Sequence, residues 1–310
     1  MRSLVQNNLG DRIFQTILFI AAAIILIIVA AMVGMMVSNS LPTIQRFGLG
    51  FLTGAEWNPA MDRYGALPFV YGTVVSSLIA LVLSVPVSVG VAIFLTEQAS
   101  PKVARPIAFL VELLAAIPSV VYGLWGIFVL APFIREYLGP FLQTYLGFVI
   151  FFQGRLTGIG MLTGSIILAI MITPIITTVV RDVLEAVPVT QREAAFALGA
   201  TKWETTQVVL ANAASGIAGA VVLGLGRALG ETMAVTMVIG NTPQISLSLF
   251  EPAYTIASVL ASNFADATGG IYLSALIEIG LVLFLVTFVV NALAKLMVTS
   301  VSGRQGKHAA

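Results

Sequence analysis

A short polar stretch separates two long apolar segments and reads Arg192-Glu193-Ala194-Ala195-Phe196-Ala197-Leu198-Gly199-Ala200-Thr201. It is too polar to lie within a bilayer and too short to form a domain. Thr190 can cap a helix here, with Glu193 three residues later at the spacing of a capping box. Gly199 can end that helix, since glycine readily adopts the left-handed conformation common at helix ends. The stretch therefore predicts a short surface helix, followed by a second helix that begins near Lys202.

The composition indicates a membrane protein. Hydrophobic residues make up 58% of the 310 residues and charged residues only 9%, whereas soluble domains carry about 25% charged residues. The net charge of +1 gives no support to nucleic-acid binding, which needs a clustered basic surface. With no cysteine, the chain has no disulfide and no thiolate metal site, and we expect no bound metal.

Six apolar segments have the length of about 20 residues that a membrane-spanning helix needs. They lie near 14–38, 69–95, 106–131, 161–180, 213–239 and 272–297. Residues 145–152 are also apolar, but Pro140, Gln143, Gln153 and Gly154 bracket them too closely for a crossing. The pattern predicts an all-α protein in membrane lipid: a transmembrane domain over 14–297, a polar lead over 1–13, a loop over about 182–211 and a polar tail over 298–310.

The Lys and Arg residues of the loops predict the orientation. With the N-terminus inside, the cytoplasmic side receives Arg2, Arg12, Lys102, Arg105, Arg181, Arg192, Lys202, Lys295, Arg304 and Lys307. The outer side receives Arg46, Arg63, Arg135 and Arg155. Both termini and the loop that contains Glu193 are therefore expected in the cytoplasm, and segments 39–68, 132–160 and 240–271 on the other side.

The fifth apolar segment contains two charges, Arg227 and Glu231, at helical i,i+4 spacing. A charge at mid-bilayer costs at least about 2.5–3.5 kcal/mol, so it is expected to face protein or water and to be functional. The forked donors of Arg227 match tetrahedral oxyanions. Alternatively, Glu231, or Glu278 of the sixth segment, neutralises Arg227 and locks helices together. The two roles are compatible. Gly226 and Gly230 form a small-xxx-small pair beside this face.

The pattern Glu-Ala-Ala, three further residues and then Gly resembles the cytoplasmic coupling loop of ABC-importer permeases, although Leu210 is followed by Ala211 and not by the proline usual there. The resemblance implies that Glu193, Ala194, Ala195, Phe196 and Gly199 contact a separate ATPase subunit. No stretch fits the phosphate-cradling pattern G-x-x-x-x-G-K-[ST]. We therefore expect a transport subunit that is not an enzyme and has no cofactor of its own, with ATP and Mg bound by the partner ATPase.

Four longer stretches resemble the phosphate-specific ABC importer, and within it the PstC type of permease. They are Phe51–Pro59, Gly65–Thr73, Glu112–Gly123 and the run Arg227-Ala-Leu-Gly-Glu231-Thr. The resemblance implies a six-transmembrane-helix type I ABC-importer permease fold in a bacterial inner membrane. It also implies a PstA-like second permease, two copies of a PstB-like ATPase, a PstS-like phosphate-binding protein and inorganic phosphate as substrate. Arg227, Glu231 and Glu278 are the candidate substrate path.

Two other functions remain open from the sequence. One is a permease for sulfate, molybdate or another oxyanion, because the guanidinium of Arg227 does not by itself select among tetrahedral anions. The other is a non-transporting membrane regulator that uses Glu193 only to dock a protein.

Overall fold

The structure is a computed structural model that describes residues 9–267 and 269–305, with side chains for 10–267 and 269–296. Its α-helices, in chain order, are α1 Leu9–Phe47, α2 Gly50–Thr53, α3 Leu67–Ile93, α4 Pro101–Ala116, α5 Ser119–Trp125, α6 Ala131–Phe133, α7 Gly139–Leu146, α8 Met161–Glu185, α9 Val189–Ala197, α10 Lys202–Leu229, α11 Met233–Val238, α12 Ile256–Asn263 and α13 Gly270–Gln305. π-helical turns follow α3, α5 and α6 at Phe94–Gln98, Gly126–Leu130 and Ile134–Leu138, and 3₁₀ turns occupy Pro59–Met61 and Ile150–Phe152.

Six helical stretches of the described chain are long and apolar enough to cross a membrane. They are Gly10–Phe47, Leu67–Gln98, Ser119–Leu146, Met161–Glu185, Lys202–Leu229 and Gly270–Leu296. The predicted number of spans and the all-α class are confirmed. The predicted lead and tail fall partly outside the described residues, and inside them α1 begins at Leu9 and α13 continues to Gln305.

The predicted third span, 106–131, is wrong as a single helix. α4 ends at Ala116, and Ile117 is extended, with φ −67° and ψ 128°. The cause is Pro118, whose ring disfavours the helical conformation of the residue before it. The spanning stretch begins only at Ser119 and runs to Leu146. A single turn at Ile150–Phe152 follows, so residues 145–152 form no crossing, as predicted.

The predicted fifth span, 213–239, is also displaced. α10 begins at Lys202, where the predicted second helix starts, and ends at Leu229. The chain then breaks at residues 230–232 and resumes as the short α11. The following segment, expected as an outer loop, folds back into the bundle, where Phe250 is 4% exposed and Val259 of α12 is fully buried.

α3 and α8 form the largest contact between helices. The buried face of α3 carries small residues: Gly72, Thr73, Ser76, Ser77, Ala80, Ser84, Ser88 and Ala92. Small residues let helix backbones approach closely where lipid supplies no hydrophobic driving force. Hydrogen bonds reinforce this approach, since Ser88 Oγ donates to the Thr173 carbonyl at 3.1 Å and Thr173 Oγ1 donates to Ser84 Oγ at 3.1 Å.

The beginning of α3 also holds the segment that leads into α12. A Cβ on Gly72 would overlap the carbonyl oxygen of Tyr254. One residue further on, Thr73 Oγ1 accepts a hydrogen bond from the Ile256 backbone N–H at 2.9 Å. The absence of a side chain at Gly72 therefore allows the backbone of this segment to lie directly on α3.

Replacing Gly72 with alanine is expected to destabilise the protein, whereas the same change at Gly90 of the same helix is not. Overpacking against the Tyr254 backbone should cost about 1–3 kcal/mol. Apart from the backbone of its own helix, no atom of the described residues lies within 4 Å of a Cβ on Gly90, so Gly90→Ala should be neutral or stabilising by up to about 1 kcal/mol. Thermal unfolding of the two variants in detergent measures the difference. Equal melting temperatures would contradict the assignment of this contact.

Candidate functional site

The predicted surface helix is α9, Val189–Ala197, which lies between the ends of α8 and α10. Its predicted cap is wrong: Pro188 occupies the N-cap position, no side chain caps the helix, and Thr190 lies inside the first turn. The predicted end is confirmed, because Gly199 has φ +86°, a left-handed conformation that glycine adopts without strain.

The capping box of this loop belongs to α10 instead. Thr201 Oγ1 accepts from the Glu204 backbone N–H at 3.3 Å, and Glu204 Oε2 accepts from the Thr201 backbone N–H at 2.7 Å. Two backbone donors that α10 cannot satisfy internally are thereby paired. This cap allows α10 to begin directly after the turn at Gly199.

α9 has an inner and an outer face. Ala195 is 8% exposed and packs toward the rest of the chain. Glu193 and Ala194 are exposed on the outer face, with Phe196 50% and Leu198 90% exposed near its end. The outer face of α9 therefore presents a carboxylate beside exposed apolar side chains. Ala195 is the exception among the residues that the resemblance assigns to ATPase contact, because it points inward.

Arg227 and Glu231 meet where α10 ends. Arg227 lies in the last turn of α10, and Glu231 lies in the break after it. The Nη1 of Arg227 is 2.6 Å from Oε2 of Glu231. Oε1 of Glu231 accepts the Ala234 backbone N–H of α11 at 3.3 Å. The carboxylate of Glu231 is thus bonded by the guanidinium of Arg227 and by a backbone N–H in the first turn of α11.

The two charges differ sharply in exposure. The Glu231 side chain is 2% exposed, whereas that of Arg227 is 44% exposed. Arg227 borders an open groove of about 590 Å³, lined by Ile175, Gly219, Val222, Leu223, Gly226, Arg227 and Asn291. The guanidinium is therefore neutralised on one side and open on the other.

The groove lies at mid-depth of the bundle. Ile175, which lines it, lies near the middle of α8, Met161–Glu185. A cation at this depth is too costly to face hydrocarbon, so the groove is expected to be covered by protein or filled with water. Asn291 of α13 is a polar neighbour that the sequence analysis did not single out, although a polar residue inside an apolar span was a signal for it.

Glu278 lies elsewhere. Its side chain is buried at 6% exposure for the whole residue, and its Oε2 has no hydrogen-bond partner within the described part of the chain. Along α13 it is 13 residues from Asn291, or about 20 Å at the rise of an α-helix. Arg227 and Glu231 therefore form an ion pair, whereas within the described residues no ion pair joins Glu278 to Arg227.

The predicted close approach at Gly226 and Gly230 is also placed differently. A Cβ on Gly226 would reach only ordinary contact, 3.9 Å from Asn291 Oδ1. The tight contact of α10 is with α8, where a Cβ on Gly224 would lie 2.6 Å from Ile176. Gly226 thus borders the groove and Gly224 closes the packing behind it.

Comparison with known proteins gives one family. Residues 84–303 match the model of the binding-protein-dependent transport system inner membrane component. The proteins named phosphate transport system permease protein PstC from Mesorhizobium japonicum and Haemophilus influenzae are 45% and 44% identical to this chain. Each alignment covers 96% of this chain, and 93% and 96% of the two relatives, respectively. PstC 2 of Mycobacterium tuberculosis is 39% identical over 92% of the chain and 91% of its own length.

The fold is that of a known transporter subunit. A chain of the inward-facing MetNI methionine ABC transporter superposes with a TM-score of 0.52 at 18% identity, over 75% of this chain and 94% of that chain. At this identity the likeness concerns the fold alone. Taken with the family match and the six spans, these similarities show that the chain belongs to the binding-protein-dependent transport system inner membrane component family, among its PstC permeases.

Proposed function

We propose that this chain is one permease subunit of an ATP-driven importer of inorganic phosphate. The observation that carries the proposal is the likeness over nearly the whole chain to proteins named as phosphate transport permeases. The half-exposed Arg227 at mid-depth supports it, because a cation open to a groove can attract an anion into a low-dielectric path. On this proposal the groove forms part of the translocation path.

The partners follow from the same proposal. A PstA-like second permease covers the groove side, and two copies of a PstB-like ATPase bind ATP and Mg. One ATPase copy docks on the outer face of α9 through Glu193, Phe196 and Leu198, the exposed groups there. A PstS-like binding protein delivers phosphate at the opposite end of the bundle. The α9 loop and both termini then lie on the cytoplasmic side of a bacterial inner membrane, as the distribution of Lys and Arg favours.

Uptake by the reconstituted four-component complex tests this function. We expect ATP-dependent accumulation of radiolabelled phosphate in proteoliposomes. Unlabelled phosphate should block this accumulation, whereas a roughly tenfold excess of sulfate or molybdate should not. Equal competition by sulfate or molybdate would instead identify a general oxyanion permease. ATPase binding without any uptake would identify a regulator.

The conformation at Gly199 is expected to decide whether the ATPase couples to the bundle. Apart from its two chain neighbours, no atom in the part of the chain that the structure describes lies within 4 Å of a Cβ on Gly199, so we expect any effect of substitution to come from its positive φ. Gly199→Val should strain the turn by about 1–2 kcal/mol and lower uptake per ATP hydrolysed. Gly199→Asn is the matched control, since asparagine tolerates this conformation. Equal coupling in both variants would show that the left-handed turn is not required.

Arg227 and Glu231 are expected to have opposite effects on transport. Arg227→Gln should lower uptake by at least about tenfold, equivalent to 1.4 kcal/mol of lost attraction, with ATPase docking intact. Glu231→Gln can still accept from Ala234 but leaves Arg227 without its counter-charge. It should therefore retain the anion longer and lower the maximal rate, and it should alter the preference for phosphate over sulfate.

Initial rates at varied phosphate and sulfate concentrations separate these effects, with Arg227→Lys as the variant that keeps the charge. A wild-type profile in both Arg227→Gln and Glu231→Gln would remove them from the substrate path. Loss of the assembled complex in both would assign the pair to helix locking, the alternative role.

A further inference from the structure

Arg192, on the inner face of α9, connects three separate parts of the chain. Its Nη2 donates to Glu97 Oε1 at 2.8 Å and to the Leu184 carbonyl at 2.9 Å. Its Nη1 donates to the Val187 carbonyl at 2.7 Å, and its Nε to Glu97 Oε2 at 3.3 Å. Glu97 lies in the π-helical turn that ends α3, Phe94–Gln98. Leu184 lies in the last turn of α8, and Val187 lies in the short turn between α8 and α9. One guanidinium therefore joins α9 to α3 and to α8.

The chemistry of this site suits arginine specifically. The last carbonyls of a helix have no donor from within it and carry the negative end of its dipole, so α8 attracts a cation there. The Glu97 side chain is 8% exposed and needs a buried counter-charge. Only the planar fork of arginine presents enough N–H groups to bond the carboxylate twice and both carbonyls.

The rest of α9 has little to hold it against α3 and α8. The chain turns at Pro188 between α8 and α9, and Ala195 is the one buried residue among the nine of α9. The larger apolar groups Val189 and Phe196 are 63% and 50% exposed. The Arg192 bonds are thus the polar connection that fixes the orientation of α9 relative to these two helices.

We propose that Arg192 and Glu97 are positioning residues that make α9, α3 and α8 move as one unit. A force applied to the outer face of α9 at Glu193 is then passed to α3 through Glu97 and to α8 through the Leu184 carbonyl. Without this connection α9 can turn about Pro188 while α3 and α8 stay in place. The inference rests on the proposed function, because an ATPase partner must supply the force, but its structural part holds for the chain alone.

The structural part is tested by electron paramagnetic resonance on the purified full chain in lipid nanodiscs. The chain has no cysteine, so spin labels attach only to introduced cysteines at Ser100 and Thr190, both exposed. We expect one narrow distance distribution in the wild-type background and a broader one in Arg192→Gln and in Glu97→Gln. Arg192→Lys, which keeps the charge but not the fork, should lie between them.

Arg181 provides a matched control. Its side chain is 20% exposed, close to the 19% of Arg192, and its carboxylate partners Glu112, Asp182 and Glu185 all lie on α4 and α8. Arg181→Gln should leave the distance distribution unchanged. An unchanged distribution in both Arg192→Gln and Glu97→Gln would overturn the proposed connection, and so would equal broadening in Arg181→Gln.

The functional part is tested in the assembled complex by the ratio of phosphate transported to ATP hydrolysed. Arg192→Gln should still copurify with the ATPase, yet its ratio should fall by roughly a factor of ten, within the usual range of coupling energies. If Arg192→Gln does not accumulate, Glu97→Gln decides the matter, since it leaves Arg192 bonded to both carbonyls. If the variant that is measured transports as much phosphate per ATP hydrolysed as the wild type, the proposal is overturned.

Failure of the proposed function gives a different result. If the wild-type complex does not transport phosphate, the assignment of the substrate is wrong, while the distance measurement on the chain alone still reports whether Arg192 fixes α9.

Discussion

The close contact of α3 with α8 is the interaction on which the rest of the bundle depends. In a bilayer, an apolar side chain gains little by moving from lipid hydrocarbon into a contact between helices. Helices therefore associate through tight packing and interhelical hydrogen bonds. The small residues of α3 allow that packing, and Ser88 bonds the carbonyl of Thr173 across it. At the beginning of α8, the backbone N–H groups of Met161 and Leu162 donate to carbonyls of the segment that folds back after α11. That segment is thereby fixed on the same pair of helices.

Three arginines of the bundle are held in different ways, and the difference indicates their roles. Arg192 donates to one carboxylate and two carbonyls, so it has little capacity left for a ligand. Arg181 lies among three exposed carboxylates, which water and salt screen. Arg227 has Glu231 as its carboxylate within the described residues and remains 44% exposed at mid-depth. It is the one of the three that lines an open groove, as the anion site proposed for it requires.

The apolar lengths of the sequence predicted the number of spans, because hydrocarbon thickness sets a minimum length that composition reveals directly. The bounds of the predicted spans were wrong where a residue that ends a helix lies within an apolar segment. Pro118 ends α4 inside an apolar run, and Gly230 ends α10 although the run continues to Ile239. The cap was misplaced for a similar reason, since Thr190 and Thr201 both precede a glutamate by three residues. Pro188 occupies the N-cap position of α9, so of the two threonines only Thr201 caps a helix, which is α10.

The site could be predicted in part. The i,i+4 spacing of Arg227 and Glu231 indicated their ion pair, and Gly199 indicated the turn, because both depend on neighbouring residues. The bonds of Arg192 to Glu97 could not be predicted, since 95 residues separate the pair and only the packing of α3 on α8 brings them together. Helix α8 connects α9 to the groove, because Ile175 lines the groove, Leu184 accepts a hydrogen bond from Arg192, and both belong to α8. On the proposed coupling, a displacement of α9 that carries α8 with it therefore moves the part of the groove wall that Ile175 forms.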